Sequence, residues 1–163
     1  MLDTSALLGG SRRYLIAAAA LRQYDGYWSS WIIAEFVRKR TEWVADRAAR
    51  EKCNHVELRR RLRNSRQVVN RLVDELSSIL LSVDYRNARA ADLDWLTDPD
   101  DRPVMLTAIS AKANVLVTDN TADFPAGERR NGILILTSDD FLERLYRSIP
   151  DAKETVRDYL ESR

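Results

Sequence analysis

Cysteine and histidine each occur once in this 163-residue chain, as Cys53 and His55. One cysteine excludes an internal disulfide and leaves no thiolate metal site. One histidine excludes a zinc hydrolase built on paired imidazoles, and any relay that needs two. Long apolar runs are missing as well, and nothing approaches the about eighteen residues of a membrane span. The alanine run Ala17–Ala20 is too short, and Arg12, Arg13 and Arg22 around it do not frame a cleavage site. Charge of one sign is lacking, because the net charge is only +1 and by itself points to no partner. Internal repeats and low-complexity linkers are absent. A single soluble, cytoplasmic domain spanning residues 1–163 is therefore expected, long enough to bury a full core.

The stretch from Asp98 to Phe124 carries the most information. It gathers Asp98, Asp100 and Asp101, then turns apolar at helical spacing through Val104, Leu106, Ala108, Ile109 and Ala111. Pro103 falls in the first turn of that helix, where proline is tolerated. Val115-Leu116-Val117 reads as a short buried strand, and Thr118-Asp119-Asn120-Thr121-Ala122-Asp123 follows as a second polar cluster. Ligands of an open parallel sheet sit outside the carboxyl ends of its strands, so the two acid clusters can meet there.

Elsewhere, Met1-Leu2 is a strand end of unusual brevity before Asp3, and the spacing predicts a helix from Ser11 to Gln23. Tyr27-Trp28 is a brief strand after the Asp25-Gly26 turn. Ser29 or Ser30 caps a helix with Trp31, Ile32, Ala34, Phe36 and Val37 on its apolar face and Glu35 set within it. Residues 38–71 are helical in propensity and basic, and Val68, Val69, Leu72, Val73, Leu76 and Ile79 form a helical stripe. A strand is expected at Ile79–Val83, a short helix around Ala90–Leu96, an extended loop from Pro125 to Asn131 and a buried strand at Ile133–Leu136. Thr137 or Ser138 caps the next helix, and Pro150 and Asp151 open a last one. Strands alternating with helices predict an α/β protein with a mostly parallel sheet.

Asp3, Glu35, Asp101 and the Asp119–Asp123 cluster lack the Lys/Glu mixture of a solvated face. Several buried carboxylates brought together need a cation to neutralise them. Oxygen donors without sulfur or imidazole select Mg²⁺ or Mn²⁺, and Mg²⁺ sites favour a few carboxylates plus a substrate phosphate. Phosphodiester or phosphoryl chemistry follows from that. Each acid also has a plainer reading. Asp3 can be a loop acid, Glu35 can pair with Arg38, Asp98, Asp100 and Asp101 can cap a turn, and Asp123 can do the same before Phe124.

Taken in order, these motifs resemble the PIN-domain family from Met1 to about Leu142. Leu2-Asp3-Thr4-Ser5-Ala6-Leu7 matches the family's opening strand and first acid. Trp28-Ser29-Ser30-Trp31-Ile32-Ile33-Ala34-Glu35 matches the second, and Asp98-Pro99-Asp100-Asp101-Arg102 the third. Thr118-Asp119-Asn120-Thr121-Ala122-Asp123-Phe124-Pro125 is similar to the Thr-x-Asn-x-x-Asp-Phe-Pro ending of one branch, the VapC-like toxins. The resemblance implies a three-layer α/β/α sandwich and a Mg²⁺- or Mn²⁺-dependent ribonuclease, commonly the toxin of a toxin–antitoxin pair. It also implies a homodimer and a small antitoxin that plugs the site. The catalytic residues it implies are Asp3, Glu35, Asp101, Asp119 and Asp123, with Asp3, Glu35, Asp101 and Asn120 as metal ligands. Thr4, Ser5, Thr118, Arg38 and Arg102 are the substrate-binding candidates beside them. The chain departs from the family in its short first strand, in Asn120 where members often carry an acid, and in Pro103 where the branch often has histidine.

The basic run Arg59-Arg60-Arg61-Leu62-Arg63 is the nucleic-acid-binding candidate, since such a surface binds phosphates without reading sequence. A solvated helix pair, or a docking face for an acidic antitoxin, fits it equally. Trp28, Trp31, Trp43 and Trp95 are expected in the core or at an interface. Two other functions compete with the nuclease. An aspartyl-nucleophile phosphatase would attack through Asp3 but usually wants a second acid where Ser5 stands, and a scaffold with a degraded site would explain Asn120.

Overall fold

The computed structural model describes residues 1–88 and 92–163. Leu2 splices its sheet together. The Leu2 N–H donates to the Tyr27 carbonyl at 3.0 Å, and on the other side the Asp3 N–H donates to the Val117 carbonyl at 3.0 Å. Strand β1 (Tyr27–Trp28) pairs in parallel with β2 (Leu81–Ser82). Across Leu2, whose bridge to Val117 is also parallel, β3 (Val115–Val117) pairs in parallel with β5 (Ile133–Leu136). The edge strand β4 (Arg129–Arg130) runs antiparallel to β5. The first strand is thus a single bridged residue. Even so, it delivers Asp3 to the carboxyl end of β3.

Helices α1 (Thr4–Leu8) and α2 (Arg12–Ala20) follow, and then α3 (Ser30–Arg50), which Ser29 caps by accepting from the Ile32 N–H. Asn54 caps α4 (His55–Ile79), with its side chain accepting from Glu57 N–H at 2.9 Å. A 3₁₀ turn, Pro99–Asp101, leads into α5 (Arg102–Ser110), whose first turn holds Pro103, where no intrahelical N–H bond is lost. Thr137 caps α6 (Ser138–Ser148), and α7 (Ala152–Glu161) closes the chain. Leu2, Leu7, Trp28, Ile32, Phe36, Met105, Leu116, Phe124 and Ile135 fill the core between sheet and helices. Each such side chain contributes about 1.5–3 kcal/mol by leaving water.

This is an α/β fold, and four local expectations change. The run Ile79–Val83 is not one strand. Helix α4 continues through Ile79, because Leu76, Ile79 and Leu80 turn to the core at helical spacing, and only Leu81–Ser82 pairs. The loop Pro125–Asn131 contains β4, which a pair of arginines with no apolar alternation conceals. In the expected helix around Ala90–Leu96, residues 92–96 are not helical and only 94–95 form a turn, while residues 89–91 lie outside the described residues. Of the two places expected for Trp43, the core is excluded: it stands 49% exposed on α3. The reason is the length of the α3–α4 hairpin. Between residues 37 and 72 only Ala48 and Val69 are buried, so its outer half projects from the body. Among the described residues no helix is long and apolar enough to cross a membrane.

Candidate acidic site

Asp3 is buried at the start of α1, where a carboxylate can cap free N–H groups. Its Oδ1 accepts from the Thr4 N–H at 2.6 Å, and its Oδ2 from Ser5 Oγ at 2.7 Å and Thr118 Oγ1 at 2.8 Å. Burial raises its pKa above the ordinary aspartate value. The Ser5 and Thr118 hydroxyls pull it back, and the charge of Glu35 pushes it further up.

Glu35 reaches the same corner from α3. Its Oε2 accepts from Thr4 Oγ1 at 2.6 Å, and its Oε1 lies 2.9 Å from Lys39 Nζ. The plainer reading paired it with Arg38, which is 3.9 Å away and bonds instead to Glu42 at 3.0 Å. Lys39 is the partner that sequence reasoning missed, although its i+4 spacing was a readable signal.

Asp101 arrives on the α5 side. Thr107 Oγ1 donates to Ser29 Oγ at 2.9 Å inside the core, locking α5 against the start of α3. Asp98 takes the turn-capping role, accepting from Asp100 N–H at 2.9 Å, so the plain reading is right for that residue. Asp101 caps nothing. Its Oδ2 is buried without a hydrogen-bond partner. Its pKa is pushed up to about 7, first by burial and then by the charges of Asp123, Asp3, Asp98 and Glu35. Four acids therefore act on one partly buried carboxyl, and Asp123, half-buried itself, acts most strongly.

Asp119 behaves differently from the expected catalytic acid. Its carboxylate turns to α6, accepting from Ser138 N–H and Ser138 Oγ, each at 2.8 Å. Both oxygens are thereby engaged in holding a helix start, and Asp119 is not among the charges that raise Asp101. The sequence offers Ser138 as a helix cap but not as the partner of Asp119, from which it lies 19 residues away. Asn120 is held through its backbone, its N–H donating to Thr118 Oγ1 at 3.2 Å and its carbonyl accepting from Phe124 N–H at 3.0 Å.

The remaining candidates divide. Thr4, Ser5 and Thr118 sit among the acids and orient them. Arg102 is half-exposed beside Asp94, 3.7 Å away. Arg60 and Arg61 are paired with Glu57, and Arg61 also with Glu51. Arg59 and Arg63 line a groove against Val37 and Thr41 on the hairpin, apart from the acids.

Among the described residues no three Asp, Glu, His or Cys side chains close into a cage for an ion. The donor set nevertheless suits a hard cation held openly. Mg²⁺ commonly uses one or two carboxylates and keeps several waters, and the unpartnered Asp101 Oδ2 is an oxygen ready to serve.

A family model described as PIN domain matches residues 1–122, a span that takes in Asp3, Glu35, Asp101, Asp119 and Asn120 and stops just before Asp123. No curated protein and no solved structure matches the chain. PIN domains are generally nucleases, typically metal-dependent, and PIN nucleases act on RNA.

Proposed function

Because this chain belongs to the PIN-domain family, we propose that it is a Mg²⁺- or Mn²⁺-dependent endoribonuclease, the toxin of a toxin–antitoxin pair. The observation that carries this reading is Asp101, whose buried, unpartnered Oδ2 and raised pKa reflect carboxylates converging from α1, α3 and the β3–β4 connection. Asp3, Glu35, Asp101 and Asp123 would hold the ion, with Asn120 beside them. When bound there, Mg²⁺ or Mn²⁺ would supply Lewis-acid polarisation of a phosphoryl oxygen and a more acidic water. Thr4, Ser5 and Thr118 keep the Glu35 and Asp3 carboxylates in place, while Asp119 secures the start of α6 behind them. Arg38 and Arg102, both at the rim, contact substrate phosphates, and of the hairpin arginines Arg59 and Arg63 bind the rest of the strand, while Arg60 and Arg61 stay paired with Glu57. The Thr118–Pro125 motif supports the VapC-like branch, and with it a three-layer sandwich forming one domain over residues 1–163, a homodimer, a cytoplasmic setting and a small antitoxin.

Cleavage of a mixed RNA pool with Mg²⁺ or Mn²⁺ tests this reading, beside EDTA and an Asp101→Asn variant. Metal-dependent cutting that disappears in the variant is expected. Cutting that persists in Asp101→Asn would overturn the site, and a pool bound but never cut would leave a PIN-fold RNA-binding scaffold.

A further inference from the structure

Charge is segregated in this molecule. Residues 38–71 hold twelve Lys/Arg against four Asp/Glu, a surplus of eight, whereas the whole chain carries +1 and its remainder is therefore acidic by seven. On one flank of this basic hairpin lies a groove of about 350 Å³, lined by Arg40, Trp43 and Arg47 of α3 and by Asn64, Ser65 and Val68 of α4. Trp43 and Val68 are each 49% exposed. The guanidinium carbons of Arg40 and Arg47 each lie 5.6 Å from the centroid of the Trp43 ring. Arg47 is neutralised by Glu51 at 2.9 Å. Arg40 has no carboxylate partner among the described residues, and its Nε is buried without an acceptor. Its charge also bears on Arg12, whose pKa is lowered by burial first and by Arg40 second.

A guanidinium with no carboxylate partner that lines an open groove attracts an anion, and phosphate oxygens match the geometry of its terminal N–H groups. An open indole beside it is a stacking platform for any base, while Asn64 and Ser65 offer donors and acceptors to a base edge. The groove also has the size of a small-ligand site, about 300 Å³ or more. We propose that this groove is a nucleotide subsite for single-stranded RNA, separate from the acids, in which a base stacks on Trp43 and a phosphate accepts from Arg40. The subsite rests on the reading of RNA as substrate. Trp43 follows Glu35 by eight residues on the same helix, about 12 Å along its axis, so one strand can occupy both places. An acidic protein face fits less well. It would set several carboxylates against Arg47 and Arg61, which Glu51 and Glu57 already neutralise, whereas one base and one phosphate match one indole and one free cation.

The test is fluorescence anisotropy of a labelled single-stranded ten-nucleotide RNA in EDTA, with circular dichroism to confirm folding of each variant. Trp43→Ala is expected to raise Kd at least about fivefold, as loss of one stacked base does, with Trp43→Phe retaining most of the affinity. Arg40→Ala should weaken binding and flatten the dependence of log Kd on log salt by about 0.7. A Trp43→Ala Kd within twofold of wild type overturns the subsite and leaves the groove to a protein partner. Metal-dependent cleavage of the same RNA by wild type and Asp101→Asn separates the two proposals. Cutting by wild type with an unchanged Trp43→Ala Kd overturns the subsite alone, and RNA neither bound nor cut overturns both.

Discussion

Thr4 Oγ1 donates a 2.6 Å hydrogen bond to Glu35 Oε2, joining two acid-bearing segments 31 residues apart in the chain. Thr4 belongs to the helix that Asp3 caps, and Glu35 to α3, so this one hydroxyl sets the spacing between the first two acids. On its other oxygen Glu35 faces Lys39. The carboxylate is therefore held between a neutral donor that orients it and a cation that balances it.

Thr4→Val keeps the buried shape and removes the donor. Glu35 is then free to swing toward Lys39 and Arg38. Metal-dependent kcat/KM is expected to fall about 10- to 100-fold, the usual cost of losing a partner that orients a metal ligand. Stability in urea should drop by about 1–2 kcal/mol. Thr4→Ser, which restores the hydroxyl, should recover most of the activity, and a Thr4→Val enzyme as active as wild type would refute the orienting role.

Asp101 makes the metal-free protein sensitive to pH. Its folded pKa of about 7 lies above the unfolded aspartate value, so between the two the folded state binds more protons. Stability is therefore highest below about pH 4 on this group's account, and is lost as pH rises toward 7. Asp3, also raised, acts in the same direction. In EDTA, Asp101→Asn should melt above wild type at pH 8, with the difference shrinking at pH 5. Mn²⁺ should reverse the order by stabilising wild type, with an affinity that climbs with pH and levels off near 7, because binding must displace the proton. Melting curves at the two pH values, with and without Mn²⁺, decide the matter.

Asp119 and Asp123 are expected to part company. Asp119→Ala removes both bonds to Ser138 at the start of α6 and should cost about 1–2 kcal/mol of stability, as lost helix caps do. Its Mn²⁺ affinity should stay within about threefold of wild type, since its carboxylate is turned to Ser138 at the start of α6. Asp123→Asn should do the opposite, weakening Mn²⁺ binding and lowering the pKa of Asp101 with little loss of stability. Calorimetric Mn²⁺ titration and urea unfolding of the two variants check this.

Much of the frame was legible because it is local. The serine cap at Ser29, the proline in the first turn of α5, the β-branched run Val115–Val117 and the apolar faces of α3 and α5 are set by residues within a turn or two of one another. So was the candidacy of Asp3, Glu35 and Asp101, since each acid stands at a strand end, within an apolar helical face or at a helix start. Apolar continuity misled at Ile79–Val83, where a helix end and a two-residue strand share one hydrophobic run.

What the sequence by itself determined is which elements form and which acids they carry, because helix periodicity and capping act over three or four residues. Tertiary structure alone decided where those acids point and which donors satisfy them. Leu2 reaches strand status only by bonding to Tyr27 on one side and pairing with Val117 on the other. Trp43 is exposed because the hairpin outgrows the core, not because of its neighbours in sequence. Asp119 and Asp123 look interchangeable along the chain. A serine 19 residues further on, placed by the β5–α6 turn, takes both oxygens of Asp119, and Asp123 is left to bear on Asp101. A loop carboxylate points where distant donors satisfy it, and those donors are assembled only by the fold.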